Sequence, residues 1–296
     1  MLALDGERLA KCCRGIGRSS TGTELPVGMS TEIYLELVIP EGNPLPKSVA
    51  TKVLLESGTI DLREAAVEGP LLDLKSPLNG GSWVAGNGPS NFSGHRRTKV
   101  PVDGRLPIAQ RWAIDYVKLG PDNKVFRDKG TKNEDWFGYK TEIHSAAGGR
   151  VVLVRDGIPE NTPLSPKRAV AIDFNTVAGN CVVVDMGHGQ YALYAHLVPG
   201  SLRVKPGDRV KTGQILGLLG NSGNSDAPHL HFHVADRAEA LAGEGVGYRM
   251  NFRLLGTAKD LEAVVMGAPW KAADGAKPVD LKGAIPLENQ VVSFGG

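Results

Sequence analysis

Seven consecutive residues constrain this chain more than any other stretch: Pro228-His229-Leu230-His231-Phe232-His233-Val234. Side chains alternate between faces along a strand. His229, His231 and His233 therefore line one side, and Leu230, Phe232 and Val234 the other. The apolar side demands a core, and the imidazole side calls for metal or proton chemistry. Alternate residues lie roughly 6.6 Å apart, so neighbouring imidazoles can lean onto one ion, or one can bind it while the next reaches a bound water. The plainer alternative is an exposed face that happens to be His-rich. Three of the chain's seven histidines at strict i, i+2, i+4 spacing argue against it. Imidazole suits Zn, Cu, Fe and Ni alike, so the strand alone names no metal.

Further strand signals surround this one. Thr31–Ile39 and Ser48–Glu56 alternate apolar and polar residues, with turn chemistry at residues 40–44 between them. Trp112–Lys118, Gly149–Arg155, Ala169–Phe174, Asn180–Met186, Gln190–His196, Ile215–Leu219 and His229–Val234 also read as strands. Abundant Gly (38) and Pro (19) suit tight turns between them. The one helix candidate is Thr257–Val265. The reading is an all-β protein with three parts: a β-rich N-terminal domain over 1–76, a main domain over 77–250, and a C-terminal extension over 251–296 packing on it. Pro77–Gly94, rich in Gly, Pro, Ser and Asn, reads as a linker or irregular surface segment.

Composition narrows the function. A formal net charge of +2 without basic runs gives no reason to expect nucleic acid. No apolar stretch reaches the roughly 18 residues of a membrane helix, and no signal-peptide pattern is visible at the N-terminus. Three cysteines, two of them adjacent, make no disulfide framework. Cys181, in an apolar run, reads as a buried small hydrophobe.

Four segments occur in a telling order: Tyr194-Ala195-His196-Leu197, Val204 to Gly217, Asn221-Ser222-Gly223-Asn224 and His229-Leu230-His231-Phe232. Together they resemble the M23 family of zinc endopeptidases, the lysostaphin/LytM group. Ala113-Ile114-Asp115 is similar to the end of that family's first metal motif, His-x-x-x-Asp. The resemblance implies an antiparallel β-sheet groove, and a Zn²⁺-dependent endopeptidase acting through metal-activated water. It implies Asp115 and His231 as zinc ligands, and His196 and His229 as the histidines that handle the catalytic water and the transition state. It further implies peptide substrates, above all bacterial peptidoglycan cross-links, and a place in the cell envelope or outside the cell. His233 has no family role and is expected to support a ligand or line the groove.

One position departs from the pattern. Arg111 stands where the family has its first ligand histidine, four residues before Asp115. A guanidinium has no lone pair to give a metal. His95 is the expected replacement. Asp103-Gly104 reads as a hairpin turn, and a ladder shifted by one residue would pair His95 with Ala113 and aim it at Asp115. The alternative is a catalytically degenerate groove that binds peptides or activates another hydrolase. A biotinyl or lipoyl carrier, which Val204 to Gly217 also resembles, lacks the lysine-bearing hairpin tip here. Among the remaining residues, His144 is expected at the surface and His188 in a turn. Tyr194, on the same alternating face as His196, is a candidate substrate contact. Asp128–Trp136 reads as a mobile charged insertion.

Overall fold

The computed structural model describes residues 3–16, 30–37, 39, 43–44, 46–65 and 71–295. Most of the turn expected at 40–44 lies outside them. The chain divides into two compact units, Met1–Pro70 and Leu71–Gly296.

The first unit holds α1 (Gly6–Cys12), β1 (Cys13–Ile16), β2 (Ser30–Ile33), β3 (Ser48–Leu55) and β4 (Gly58–Ala65). β1 pairs antiparallel with β2, and β3 with β4 from Ser48↔Ala65 to Leu55↔Gly58. The strand expected over Ser48–Glu56 thus becomes β3, one arm of a regular hairpin with β4. The strand expected over Thr31–Ile39 ends at Ile33. α1 forms in a stretch without hydrophobic periodicity, because Glu7, Arg8, Leu9, Ala10 and Lys11 all favour helix.

The second unit contains β5 (Leu72–Asp73), β6 (Ser82–Gly86), α2 (Gly94–Arg97), β7 (Ile114–Leu119), β8 (Glu142–His144), β9 (Gly149–Arg155), β10 (Asn180–Asp185) and β11 (Tyr191–Leu197). There follow β12 (Arg209–Val210), β13 (Ile215–Leu218), β14 (Leu230–Ala235), β15 (Tyr248–Thr257), α3 (Leu261–Val265), β16 (Val279–Ala284) and β17 (Gln290–Ser293). Eleven strands build one sheet, in the order β12-β9-β10-β11-β14-β7-β6-β17-β15-β16, with β5 beside β15. All its pairings are antiparallel except β5 with β15. The all-β reading holds.

The histidine strand β14 sits mid-sheet, between β11 and β7. Leu230, Phe232 and Val234 are fully buried and join Ile114, Tyr116, Tyr194, Tyr248 and Leu197 in the main core. The Phe232 ring packs 5.2 Å from Tyr194 and 5.3 Å from Tyr248, centroid to centroid. Burying such a side chain contributes about 1.5–3 kcal/mol, so the apolar face of β14 fixes the opposite, imidazole face in place.

Several expectations need correction. Pro77–Gly94 is no linker: β6 pairs with β7 and β17, and Trp83 and Val84 are fully buried. Its glycines frame a short strand of apolar residues, which composition alone disguised. Residues beyond 250 are not a body packed on the sheet. β15, β16 and β17 are strands within it. Ala169–Phe174 forms no strand, and the helix expected over Thr257–Val265 shrinks to α3 while Thr257 ends β15. The Asp128–Trp136 segment is anchored, with Trp136 2% exposed and its indole N–H donating to the Gly130 carbonyl at 2.9 Å.

Candidate metal centre and cleft

Register places a row of residues across the sheet. Ala195 of β11 faces His231 of β14, His231 faces Asp115 of β7, and Asp115 faces Gly86 of β6. Directly opposed residues share a face, so His231 and Asp115 meet side by side. His231 Nδ1 lies 2.9 Å from Asp115 Oδ1.

His95 joins them, by a route other than the expected one. It lies on α2 and not on a strand of a hairpin, although Asp103 and Gly104 do make a turn, with φ of 50° and 72° and a bridge between Val102 and Arg105. No ladder pairs His95 with Ala113, because β7 begins only at Ile114. The residues after β6 curl back instead, and bring His95 Nε2 to 3.4 Å from Asp115 Oδ2. His95, Asp115 and His231 each offer one ligand atom, all within 4.8 Å of one another, and could hold a metal ion. The side chains are 12%, 14% and 4% exposed respectively. Two imidazoles and a carboxylate are a donor set that zinc accepts with a fourth position left open.

The second nitrogen of each imidazole is engaged. His95 Nδ1 lies 2.9 Å from the Asn87 carbonyl, which leaves Nε2 toward the carboxylate. Asn87 also donates through Nδ2 to Asp115 Oδ2 at 2.9 Å. It adopts a left-handed conformation, φ 47°, which Asn tolerates better than most residues. His231 Nε2 lies 2.8 Å from His233 Nδ1. Arg111 is turned elsewhere: its Nε and Nη2 lie 2.8 and 2.6 Å from Glu244 Oε1.

His196 and His229 flank this cluster. Their rings lie 4.7 Å apart, and His196 is 5.8 Å from His231. His229 Nε2 comes within 3.3 Å of Asp115 Oδ1, while its Nδ1 donates to the Ala227 carbonyl at 2.8 Å. His196 Nδ1 donates to the Ser222 carbonyl at 2.8 Å. Both rings face the cleft, a groove of ≈ 360 Å³ lined also by His95, Asp115, His231 and Trp136, with His229 Nε2 turned toward Asp115.

The placement of His196 rests on a bulge. Asn180 pairs with Leu197 and Val182 with Tyr194, so Ala195 and His196 together oppose Cys181. His196 has φ 64°, a left-handed conformation that costs a non-glycine residue about 1–3 kcal/mol. The bulge breaks the alternation assumed for β11. Leu193, Ala195 and His196 line the groove, whereas Ala192, Tyr194 and Leu197 enter the core. Tyr194 is therefore no substrate contact. Its hydroxyl is buried and accepts the Ala146 N–H at 2.7 Å. Ser222 ties the bulge: its hydroxyl accepts from Asn180 N at 2.9 Å and donates to the Leu197 carbonyl at 2.8 Å. Gly179 lies against the same turn, at φ +61°, where a Cβ would stand 2.4 Å from the Ser222 oxygen.

His144 is buried, contrary to expectation, between Asn79 Nδ2 at 3.1 Å and the Gly213 carbonyl at 3.0 Å. Those partners are remote in sequence, which is why its surroundings were not legible. His188 occupies a turn at φ 56°, and Cys181 is 1% exposed.

Burial and mutual charge set the protonation of the site in the metal-free protein. Burial pushes the His95 imidazole down to about 4, against the attraction of Asp115. Burial also holds His196 and His233 well below the usual value, with neighbouring imidazoles adding to the effect. For His229, burial pulls downward, but the Asp115 carboxylate and its hydrogen bond raise it on balance. Burial alone would raise Asp115. The charges of His95 and His229 and the hydrogen bonds from His229 and His231 bring it well below the ordinary range instead.

Residues 134–242 match peptidase family M23. The chain is 30% identical over 142 residues to the Peptidoglycan DD-endopeptidase ShyA of Vibrio cholerae, an alignment covering 46% of this chain and 28% of that protein. It is 39% identical over 136 residues to Endolysin 2638A of Staphylococcus phage 2638A, covering 41% of this chain and 28% of the endolysin. A shorter segment of 39 residues is 59% identical to the Glycyl-glycine endopeptidase ALE-1 of Staphylococcus capitis, covering 13% of this chain and 10% of that protein. The chain spans less than a third of the length of each of these relatives.

Proposed function

We propose that this chain, which carries a peptidase family M23 domain, is a zinc-dependent endopeptidase hydrolysing the peptide cross-links of bacterial peptidoglycan. One observation carries the reading. Two imidazoles and one carboxylate from three separate elements converge within 4.8 Å at the floor of an open groove. On this reading His95 Nε2, Asp115 and His231 Nδ1 hold the ion. A zinc ion bound there would lower the pKa of a water toward about 7 and would polarise a carbonyl oxygen.

The chain's own residues do the rest. The groove orients an extended peptide across the ligand row. His196 and His229, each with Nδ1 committed to a backbone carbonyl, present Nε2 to the reacting atoms. One accepts the proton of the attacking water, and the other donates to the developing oxyanion. The proton then passes to the amine that leaves. The buried partners of both rings prevent rotation, so the two Nε2 atoms are positioned before substrate arrives.

The substrate class rests on the relatives, whose names record peptidoglycan and glycyl-glycine endopeptidases. A place in the cell envelope or outside the cell follows from that substrate. Among the described residues no helix is long and apolar enough to cross a membrane. The test joins metal content and activity on the purified chain. Stoichiometric zinc, and loss of cross-linked peptides from purified sacculi that chelation abolishes, is the expected result. Protein without metal, or zinc-loaded protein that leaves both sacculi and cross-linked peptides intact, sinks the reading in favour of a non-cleaving groove.

A further inference from the structure

A histidine that gives one nitrogen to a metal keeps its proton on the other, and the partner of that proton fixes the ring's tautomer and rotation. For His95 the partner is a backbone carbonyl, that of Asn87. For His231 it is a side chain. On the reading proposed above His231 coordinates through Nδ1, beside Asp115 Oδ1, so its proton resides on Nε2. That atom lies 2.8 Å from His233 Nδ1, with the two rings nearly perpendicular at 88° and centroids 5.1 Å apart. His233 is 1% exposed, so water does not readily stand in for it. The register Leu193↔His233 fixes its backbone within the sheet interior.

We propose that His233 is a positioning residue for the metal centre: its Nδ1 accepts the Nε2–H of His231 and so holds His231 in the tautomer and orientation that present Nδ1 to the ion. The second histidine of β14 thereby acquires a task, two residues beyond the ligand it supports and on the same face. The proposal rests on His231 being a ligand, and is independent of which bond the enzyme cleaves.

The test compares His233→Leu, which fills similar space without an acceptor, with His233→Asn, whose Oδ1 stands where the imidazole Nδ1 stood. Zinc dissociation constants of the full chain are measured by competition with a chromophoric chelator, alongside thermal unfolding of the zinc-free proteins. The leucine variant is expected to bind zinc about 10–100-fold more weakly, and the asparagine variant to recover most of that loss. Equal zinc affinity in wild type and the leucine variant overturns the role of His233 while leaving the metal site standing. A wild-type protein that binds no zinc overturns both. Should the leucine variant fail to fold, ¹⁵N spectra of the zinc-loaded wild type decide. A slowly exchanging His231 Nε2 proton, coupled across the hydrogen bond to His233 Nδ1, supports the proposal. A rapidly exchanging one refutes it.

Discussion

His95→Ala is the perturbation that bears hardest on the metal centre. On the proposed reading its imidazole is one of three donors, and its removal leaves Asp115 and His231, one fewer than catalytic zinc sites use. The magnitude follows from mass action. Free zinc at a hundredfold excess over its dissociation constant stabilises a folded protein by about 2.7 kcal/mol. For a unit of this size that corresponds to roughly 5–11 °C in melting temperature. The assay is thermal unfolding of the full chain with zinc and with chelator. Wild type is expected to show the zinc-dependent increment. His95→Ala should lose nearly all of it at the same zinc concentration, while its chelated form still melts cooperatively. An increment in the variant as large as in wild type would refute the assignment of His95 as a ligand, and with it the account of how the site survives Arg111.

Three further outcomes are expected. The metal-free protein should weaken in acid. The His95 pKa is depressed in the fold, so its contribution is present above the unfolded value near 6.5 and is lost as pH falls toward 4. His95 alone should cost about 2 kcal/mol by pH 5, read as a lower urea midpoint at pH 5 than at pH 7, and equal midpoints would count against the burial of neutral imidazoles. Arg111→Ala should leave zinc affinity and hydrolysis unchanged and cost at most about 1 kcal/mol, since its pair with Glu244 is partly exposed; a large change in zinc affinity by chelator competition would show that Arg111 does act at the site. Ser222→Ala should destabilise the chain by about 1–3 kcal/mol, by leaving Asn180 N–H without its buried acceptor, while the Leu197 carbonyl keeps the Asn180 Nδ2 bond. It should also lower kcat more than zinc affinity, because the bulge aims His196; unchanged kcat would separate the bulge from catalysis.

What could be seen in the sequence was what alternation and spacing encode. The two faces of β14, the bounds of β9 and the strand β3 follow from residue type at period two. Those patterns hold wherever a strand is regular. The misreadings fall where a tertiary partner overrode local chemistry. β6 hides among glycines because its apolar core is only a few residues long, and its burial is decided by β7 and β17 on either side. Tyr194 faced the wrong way in the strict alternation because one left-handed residue, His196, reverses the faces after Ala195. A bulge of that kind leaves no local signature when the residue with positive φ is not glycine. Asn87 and Ser222, whose carbonyls hold the His95 and His196 rings, read as ordinary turn residues. They act through positions remote in the chain, which no spacing rule reaches.

With His95 proposed as the displaced ligand, coordination constrains space more tightly than sequence. The family pattern delivers its first histidine from the chain just before β7, four residues ahead of Asp115. Here that position holds Arg111, bound to Glu244 and out of the row. The strand beside β7 is β6, whose Gly86 is level with Asp115, so the chain leaving β6 emerges at the same height on the sheet as the chain entering β7. A ligand supplied from either reaches the carboxylate. What the β6 route lacks is a strand to hold the ring, and Asn87 supplies the substitute by accepting from His95 and donating to Asp115. Ser93 adds a second bond to the same carbonyl, at 2.8 Å. A displaced histidine therefore needs an adjacent strand at matching register and one residue able to bridge it to the carboxylate. Both are present, and neither depends on the residue at position 111.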